Sequence, residues 1–425
     1  MNEALMVLIG TGVFLLVVGA PIWAVIGLSS VSYIVIQGFP PTLIVQRMFN
    51  NMDSFLLLAV PMFMLAGEVM NVSGLTMRLL DLAHVALRRM RAGLAMANLG
   101  TNMLMAGISD SALADASALT TLMMPKMTEQ GYRPAFVAAI TAAGSIVAPI
   151  IPPSVTFILF SVLSEVSVID LFMAGILPGM LIVLFQMVTV QWLSRRGRIP
   201  AYDAAPAARV GTAMRRAVPV LVLPIIIVGG IRGGVFTPIE GAAVALAYAV
   251  LAALLMRRLR LGELVHASWD VARGMGEILL MIGAASLLAW IMVAEQIPDS
   301  AARIMLGITT DPHLLLLIIN VFLLLVGMVI DNFAAMVLLV PILMPIMHQY
   351  GIDPVHFGVI LNVNLMIGAI TPPVGLCLFV TSRVAGVPFE SSVREILPFI
   401  GAALVALLVI TYVPALSLAL PGLLK

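Results

Sequence analysis

Four polar groups sit inside otherwise apolar runs: Asp110 and Asp115 in GISDSALADA, and Asp331 and Asn332 in GMVIDNFAAM. An ionisable side chain is expensive to place among Leu, Ile, Met and Ala in lipid, so its presence there signals function. The chemistry available is cation coordination by oxygen. Hydroxyl and amide oxygens stand close by in sequence, at Ser109, Ser111 and Ser145 in the first half and at Asn364 and Thr371 in the second. Prolines add carbonyls, because a proline has no N–H for the carbonyl four residues earlier. Pro149, Pro152 and Pro153 should free the carbonyls of Ser145, Ala148 and Pro149, and Pro372 and Pro373 those of Gly368 and Ala369. At membrane depth such carbonyls are tolerated only where protein or a polar cavity satisfies them, and a bound sodium ion would do so. The pattern predicts two cation sites. The first uses Ser109 and Ser111 with carbonyls near Ser145 and Ala148; the second uses Asp331, Asn332, Asn364, Thr371 and the carbonyl of Gly368. Ser154, Thr371, Asp110 and Asn332 are candidates for substrate contact. Asp115 and Asp331 have an equally good structural role as helix N-caps, and a helix N-terminus left open presents N–H dipoles to an anion.

The elements that must position these groups are membrane helices. Hydrophobic residues make up 62% of the 425 and charged residues 10%, against roughly 25% charged in soluble domains. Apolar runs predict crossings at 4–20, 22–37 and 53–71, a charged amphipathic segment at 72–94, a re-entrant hairpin around Ser109 to Asp115, a broken span at 135–163 and a full one at 168–193. The order then recurs: 218–232, 238–256, 276–294, an amphipathic piece at 295–312, a hairpin tipped near Asp331, a broken span from Val355 and a last helix from Ile396. MMPKMTEQGYRP is matched without a gap by LMPIMHQYGIDP 220 positions later (345 minus 125), and Pro152 and Pro153 by Pro372 and Pro373. Repeats with a proline-interrupted helix at corresponding places point to a transport site at the breaks; packing alone is the plainer reading of the duplication. The expected fold class is an all-α polytopic membrane protein of two inverted-topology repeats, each with a re-entrant hairpin and a Pro-Pro-broken helix, in an elevator-type ion-transporter fold. The repeats span 1–194 and 218–425, joined by a basic linker at 195–217. Five crossings per half is an odd number and inverts the second half. Basic residues at Arg88 to Arg91, Arg195 to Arg198, Arg215, Arg216 and Arg257 to Arg260 then fall on one face, the cytoplasmic one by the positive-inside rule, and both termini on the other.

Other chemistries lack their residues. The single cysteine, Cys377, leaves no internal disulfide or cysteine-based metal cluster and reads as a small packing residue. There is no HExxH and no GxxxxGK[ST], which argues against a zinc hydrolase and against nucleotide hydrolysis by this chain. A net charge of +1 gives no reason to expect nucleic acid. Glu240 follows Pro238 at a helix start and reads as a cap, and Arg383 as an interfacial side chain. The opening segment lacks a basic flank and a cleavage site, so a retained first helix is expected.

GISDSALADASAL, APIIPPS, GGVFTPIEGAAVALAYA and the run from Asp331 to Val380 resemble the large membrane subunit of tripartite ATP-independent periplasmic (TRAP) transporters, over nearly the whole chain. The resemblance implies an elevator-type importer in a bacterial or archaeal cytoplasmic (inner) membrane. It would couple two or more sodium ions to uptake of an organic acid of the C4-dicarboxylate or sialic acid type, a carboxylate substrate. It implies two partners besides the lipid bilayer: a small four-helix membrane subunit and a periplasmic substrate-binding protein. Two departures stand out. Asp110 takes a position where such subunits commonly carry glycine between two serines, and DNFAA stands where a DTTAA-like string is common. A divalent-anion sodium symporter of related fold, working without a binding protein, is the nearest alternative, but its Ser-Asn-Thr tips are absent. An intramembrane protease would need YD with GxGD, or GxSG, and none occurs. A passive channel would fail to concentrate its substrate.

Overall fold

A computed structural model describes residues 3–201 and 210–423; part of the expected linker, including Ala205, and the terminal Lys425 lie outside the described residues. Every regular element among the described residues is helical. The first half runs α1 (Glu3–Val17), α2 (Ile22–Ile36), α3 (Thr42–Met52), a 3-10 turn at Phe55–Leu58 leading into α4 (Ala59–Val72), α5 (Met77–Leu87), α6 (Gly93–Ala106), α7 (Ala112–Glu129), α8 (Pro134–Ser145), α9 (Val155–Ser164) and α10 (Val168–Arg195). The second runs α11 (Val210–Arg232), α12 (Pro238–Leu255), α13 (Leu261–Ala294), α14 (Ile297–Ile308), α15 (Pro312–Gly327), α16 (Asn332–Gln349), α17 (Pro354–Gly368), α18 (Leu376–Val384), α19 (Phe389–Tyr412) and α20 (Ala415–Gly422).

The sequence repeat is a repeat of elements. α5 and α14 begin 220 residues apart (297 minus 77), as do α7 and α16 (332 minus 112) and α8 and α17 (354 minus 134). The same residue types set the same boundaries. Gly131 and Gly351, with φ of +86° and +66°, turn the chain after α7 and α16, and Pro134 and Pro354 open α8 and α17, where a missing N–H costs nothing. The predicted broken spans are the pairs α8–α9 and α17–α18, and both Pro-Pro bonds in the breaks are cis.

Among the described residues seven helices are long and apolar enough to cross a membrane alone, and α14 with α15 forms a pair bent by 116°. α1, α2, α8, α9 and α17 are apolar but only 10–17 residues long, so α8 and α17 need their partners to reach across. The chain is an all-α, multi-pass membrane protein. Three expected boundaries need correction. The crossing expected at 276–294 is the end of α13, a continuous 34-residue helix. Its counterpart in the first half is interrupted at Asp53 and Ser54 after Asn50 and Asn51, residues that compete with the helical backbone for hydrogen bonds; Arg273 and Gly274 stand there in the second half and the helix runs on. The span expected from 218 starts at Val210, and the last long helix starts at Phe389 rather than Ile396.

Helices α8 and α17 are the hubs of the interior. α6, α7, α18 and α19 surround α8, and α10, α15, α16 and α19 surround α17, while α1 to α4 pack with α12 and α13 as an outer group. α15 and α17 cross so closely at Gly327 and Gly368 that a methyl group on Gly368 would meet the backbone of Gly327. The basic stretches also meet, as the Ala92 N–H donates to the Ala201 carbonyl at 2.8 Å and the Arg78 guanidinium to the Arg216 carbonyl at 3.1 Å.

Candidate functional site

The two hairpin tips use their acids differently. At the first, between α6 and α7, Ser111 is the N-cap: its Oγ accepts from the Ala114 N–H at 3.2 Å, and the Ser109 Oγ accepts from the Ser111 N–H at 3.4 Å. With the cap filled by a hydroxyl, Asp115 lies in the first turn of α7, fully buried near the Ser109 hydroxyl, and among the described residues no donor lies within hydrogen-bond distance of its carboxylate. At the second tip Asp331 is itself the cap, its Oδ2 accepting from the Phe333 N–H at 3.0 Å. Glu240 also caps as expected, closing a reciprocal capping box with Thr237.

The breaks in the helices are more fully satisfied than proline spacing suggests. The carbonyl of Pro149, freed by Pro153, accepts from the Asn362 amide at 2.6 Å, the Ser154 hydroxyl at 2.7 Å and the Thr156 hydroxyl at 3.0 Å. The Ser145 carbonyl is not free, because the Ala148 N–H turns back to it at 3.1 Å, and the Ser145 hydroxyl donates to Ala142. The Gly368 carbonyl is likewise engaged, by the Thr371 N–H at 2.9 Å, and that of Ala369 by the Cys377 N–H at 2.9 Å. At Ser145 and Gly368 a tight turn substitutes a closer donor for the one proline removes, whereas at Ala369 the donor comes from the start of α18, eight residues on. Among the described residues no donor reaches the Ala148 carbonyl, which leaves it as the open backbone ligand in the first break.

Asn362 ties the halves together. Its Nδ2 goes to Pro149, so its Oδ1 faces Asn332, whose Nδ2 donates to it at 3.3 Å. Asn364 donates to the Asn320 Oδ1 at 2.6 Å and to the Ile360 carbonyl, and among the described residues its own buried Oδ1 has no partner. Ser154 is fully buried as the N-cap of α9, and Thr371 donates to the Ile367 carbonyl at 2.7 Å.

Two cavities meet at the tips. One of about 250 Å3 lies between the first tip and the outer helices, lined by Glu68 and Asn71 of α4, Asp270 of α13, and Ser109, Asp110 and Ser111. A second of about 60 Å3 lies between the two tips, with Asp110, Asp331, Asn332, Pro149, Thr156 and Cys377 in its wall. Asp110, Ser111 and Phe333 border both. Among the described residues every ionisable carboxyl or amine in either wall is a carboxyl. Of the four candidates for substrate contact, Asp110 and Asn332 reach these cavities, whereas Ser154 and Thr371 line neither. Among the described residues no three His, Cys, Asp or Glu side chains gather as a metal cluster. Sequence reasoning missed Glu68, Asn71, Asp270, Thr156 and Asn362. Glu68 in PMFMLAGEVM and Asn362 in LNVNLM carry the same signal as Asp331, a polar side chain in an apolar run.

The arrangement has known counterparts. Residues 9–416 match the family model described as the tripartite ATP-independent periplasmic transporter, DctM component. An isethionate TRAP transporter permease protein of Oleidesulfovibrio alaskensis is 40% identical over 99% of this chain and 67% of its own length. The 2,3-diketo-L-gulonate TRAP transporter large permease of Escherichia coli is 36% identical over 94% of both chains, and the C4-dicarboxylate large permease of Pseudomonas aeruginosa 38% identical over 88% of both. The crystal structure of the Alcanivorax borkumensis YdaH transporter, 18% identical, superposes with a TM-score of 0.64 over 86% of each chain, a likeness of fold. With nearly its whole length matched, the chain belongs to the TRAP transporters as a large permease subunit of the DctM type.

Proposed function

We propose that this permease moves an organic acid across the bacterial inner membrane together with sodium ions, receiving it from a periplasmic binding protein and working beside a small membrane subunit. The observation that carries this reading is the acidity of the cavities: Glu68, Asp110, Asp270 and Asp331 line them, and among the described residues no Lys or Arg does. Two like charges about 4 Å apart repel by roughly 4 kcal/mol at an effective dielectric near 20, so an acid anion enters such a space only with cations beside it. The Ala148 carbonyl, the Ser109 and Ser111 hydroxyls and the Asn364 Oδ1 are neutral oxygens of the kind those cations need. The names of the relatives denote acid anions, which supports the same substrate class here. In this reading the two halves are inverted repeats, 1–194 and 218–425. The hairpins and broken helices move as a block against α1 to α4 and α11 to α13, and the linker at 195–217 is cytoplasmic.

Reconstitution of all three components in liposomes tests the reading, with the substrate first identified by thermal-shift screening of the binding protein. Uptake should vanish when any one component is left out. Uptake by the permease alone, indifferent to the binding protein, would instead favour the related symporter without such a partner.

A further inference from the structure

One outward face of α10 carries Met180, Leu184, Val188 and Trp192 at four-residue intervals, each at least 42% exposed, and the exposed Arg196 follows at the next interval. That spacing sets them in one row along the helix. Because α10 is long and apolar enough to cross a membrane, the row faces lipid and ends among the headgroups, where Trp side chains concentrate. The Arg196 guanidinium stands over the Trp192 ring, 4.1 Å from its centre. The turn from α5 into α6 comes to the same place. Gly100 of α6 packs beside Met187 of α10, and the Ala92 N–H, at the start of α6, donates to the Ala201 carbonyl just beyond α10. That bond holds Ala92 at φ +55°, a conformation alanine rarely adopts. The exposed Arg89 and Arg91 thus stand at the same end as the exposed Arg195, Arg196 and Arg198. Among the described residues no carboxylate pairs with any of these five arginines. Asp81, the one acid of α5, lies two turns before Arg88, and the end of α7, where Gly131 approaches Pro200, brings Lys126 and Glu129, one of each sign. The repeat supplies a comparison: Ile308, Thr309 and Asp311 occupy the positions of Arg88, Arg89 and Arg91 after α14, so the corresponding turn folds without basic residues.

We propose that an anionic phospholipid of the cytoplasmic leaflet binds here, its headgroup phosphate among Arg89, Arg91, Arg195 and Arg196 and one acyl chain along Leu184, Val188 and Trp192. Guanidinium groups match phosphate oxygens in a two-pronged geometry. Arginines clustered directly beyond a crossing helix each strengthen attraction to an anionic leaflet about fivefold. A free phosphate would use the arginines alone, whereas the apolar row that runs down from them fits a lipid chain. The headgroup then ties the end of α5 to the end of α10, so the composition of the membrane acts on the position of this amphipathic segment. The site lies outside both cavities and uses none of their residues. Only the choice of leaflet rests on the cytoplasmic placement of the basic face proposed above.

The test titrates phosphatidylglycerol with brominated acyl chains into the purified complex of permease and small subunit in uncharged detergent. Quenching of Trp192 is read as the difference between the wild type and Trp192→Phe. Arg89→Gln combined with Arg91→Gln should bind the lipid on the order of twentyfold more weakly, at about fivefold per arginine. Arg257→Gln combined with Arg258→Gln removes the same charge from the turn between α12 and α13 and should leave the affinity unchanged. Thermal unfolding confirms that each variant is folded. Brominated phosphatidylcholine, which has no net charge, should quench Trp192 only at much higher concentration. Equal affinity for the two lipids, or wild-type affinity in the Arg89 and Arg91 variant, overturns the site. Equal weakening by both pairs of substitutions shows diffuse attraction to a basic face and overturns it as well. Displacement of the lipid by millimolar inorganic phosphate assigns the arginines to a free anion, with the same consequence. Neither substrate nor sodium enters the titration, so each of these failures leaves the transport reading intact.

Discussion

Replacing Asn362 with leucine should destabilise the protein through two distinct losses, and their sizes follow from its partners. The bond to the Pro149 carbonyl at 2.6 Å disappears, but Ser154 and Thr156 still donate to that oxygen, so the loss is an ordinary one of about 1 kcal/mol. The bond from Asn332 at 3.3 Å also disappears, and there the Nδ2 is left buried with no acceptor, costing about 1–3 kcal/mol. Together they give roughly 3 kcal/mol, which at about 2 cal/mol/K of unfolding entropy per residue lowers the Tm on the order of 3 °C. Cys377 supplies the assay: it is the only cysteine and is 1% exposed, so a thiol-reactive fluorogenic dye reports opening of the interior. The decisive comparison is a double-mutant cycle with Asn332→Ala. Removing Asn332 also removes the orphaned donor, so the double variant should be more stable than the sum of the singles predicts by about 1–2 kcal/mol. Strict additivity, or wild-type stability in Asn362→Leu, would show that the relay between the halves does not exist.

Other outcomes can be set beside that one. Ser111→Ala removes the cap of α7 at about 1 kcal/mol of stability, and both it and Thr371→Ala should weaken the sodium dependence of uptake while the complex assembles. If both keep the wild-type sodium dependence, Ser111 returns to capping and Thr371 to bonding Ile367 at the kink. Gly368→Ala places a methyl group against the Gly327 backbone, where no side chain can yield; a loss of about 1–3 kcal/mol is expected, and an unshifted unfolding temperature would mean the α15–α17 crossing is looser than described. A cysteine at the exposed Arg198, in a Cys377→Ser background, should react with an impermeant reagent only from the cytoplasm. Labelling from the periplasm in whole cells would invert the assignment.

The repeat, the hairpins and the broken helices were legible because each is written in residues that act locally. Pro134 and Pro354 open helices, Gly131 and Gly351 close them, and apolar runs between them leave no other solvent than lipid. The state of the freed carbonyls was not legible. Proline spacing tells which N–H is missing, but whether a turn supplies another depends on the path of the break: Ala148 reaches Ser145 and Thr371 reaches Gly368, while Ile151 bonds Val147 and leaves Ala148 open. Asn362 escaped notice for a similar reason. Its partner Pro149 lies 213 residues away and becomes a neighbour only when the two halves close on each other. The two acids at the tips show the remaining gap. Capping chemistry fits Asp115 and Asp331 equally well in sequence, and only the placement of Ser111 at the start of α7 decides that Asp331 caps its helix and Asp115 is buried behind a cap already filled.

Sodium coupling is the centre of the account, and uptake in liposomes holding permease, small subunit and binding protein measures it directly. Each unbalanced charge crossing the membrane gains or costs about 2.3 kcal/mol per 100 mV, so the membrane potential is clamped while the sodium gradient alone is varied. The account predicts accumulation of the acid above its external concentration when sodium is high outside, and none when sodium is equal on both sides. Accumulation that ignores the sodium gradient and follows a proton gradient or ATP would contradict it.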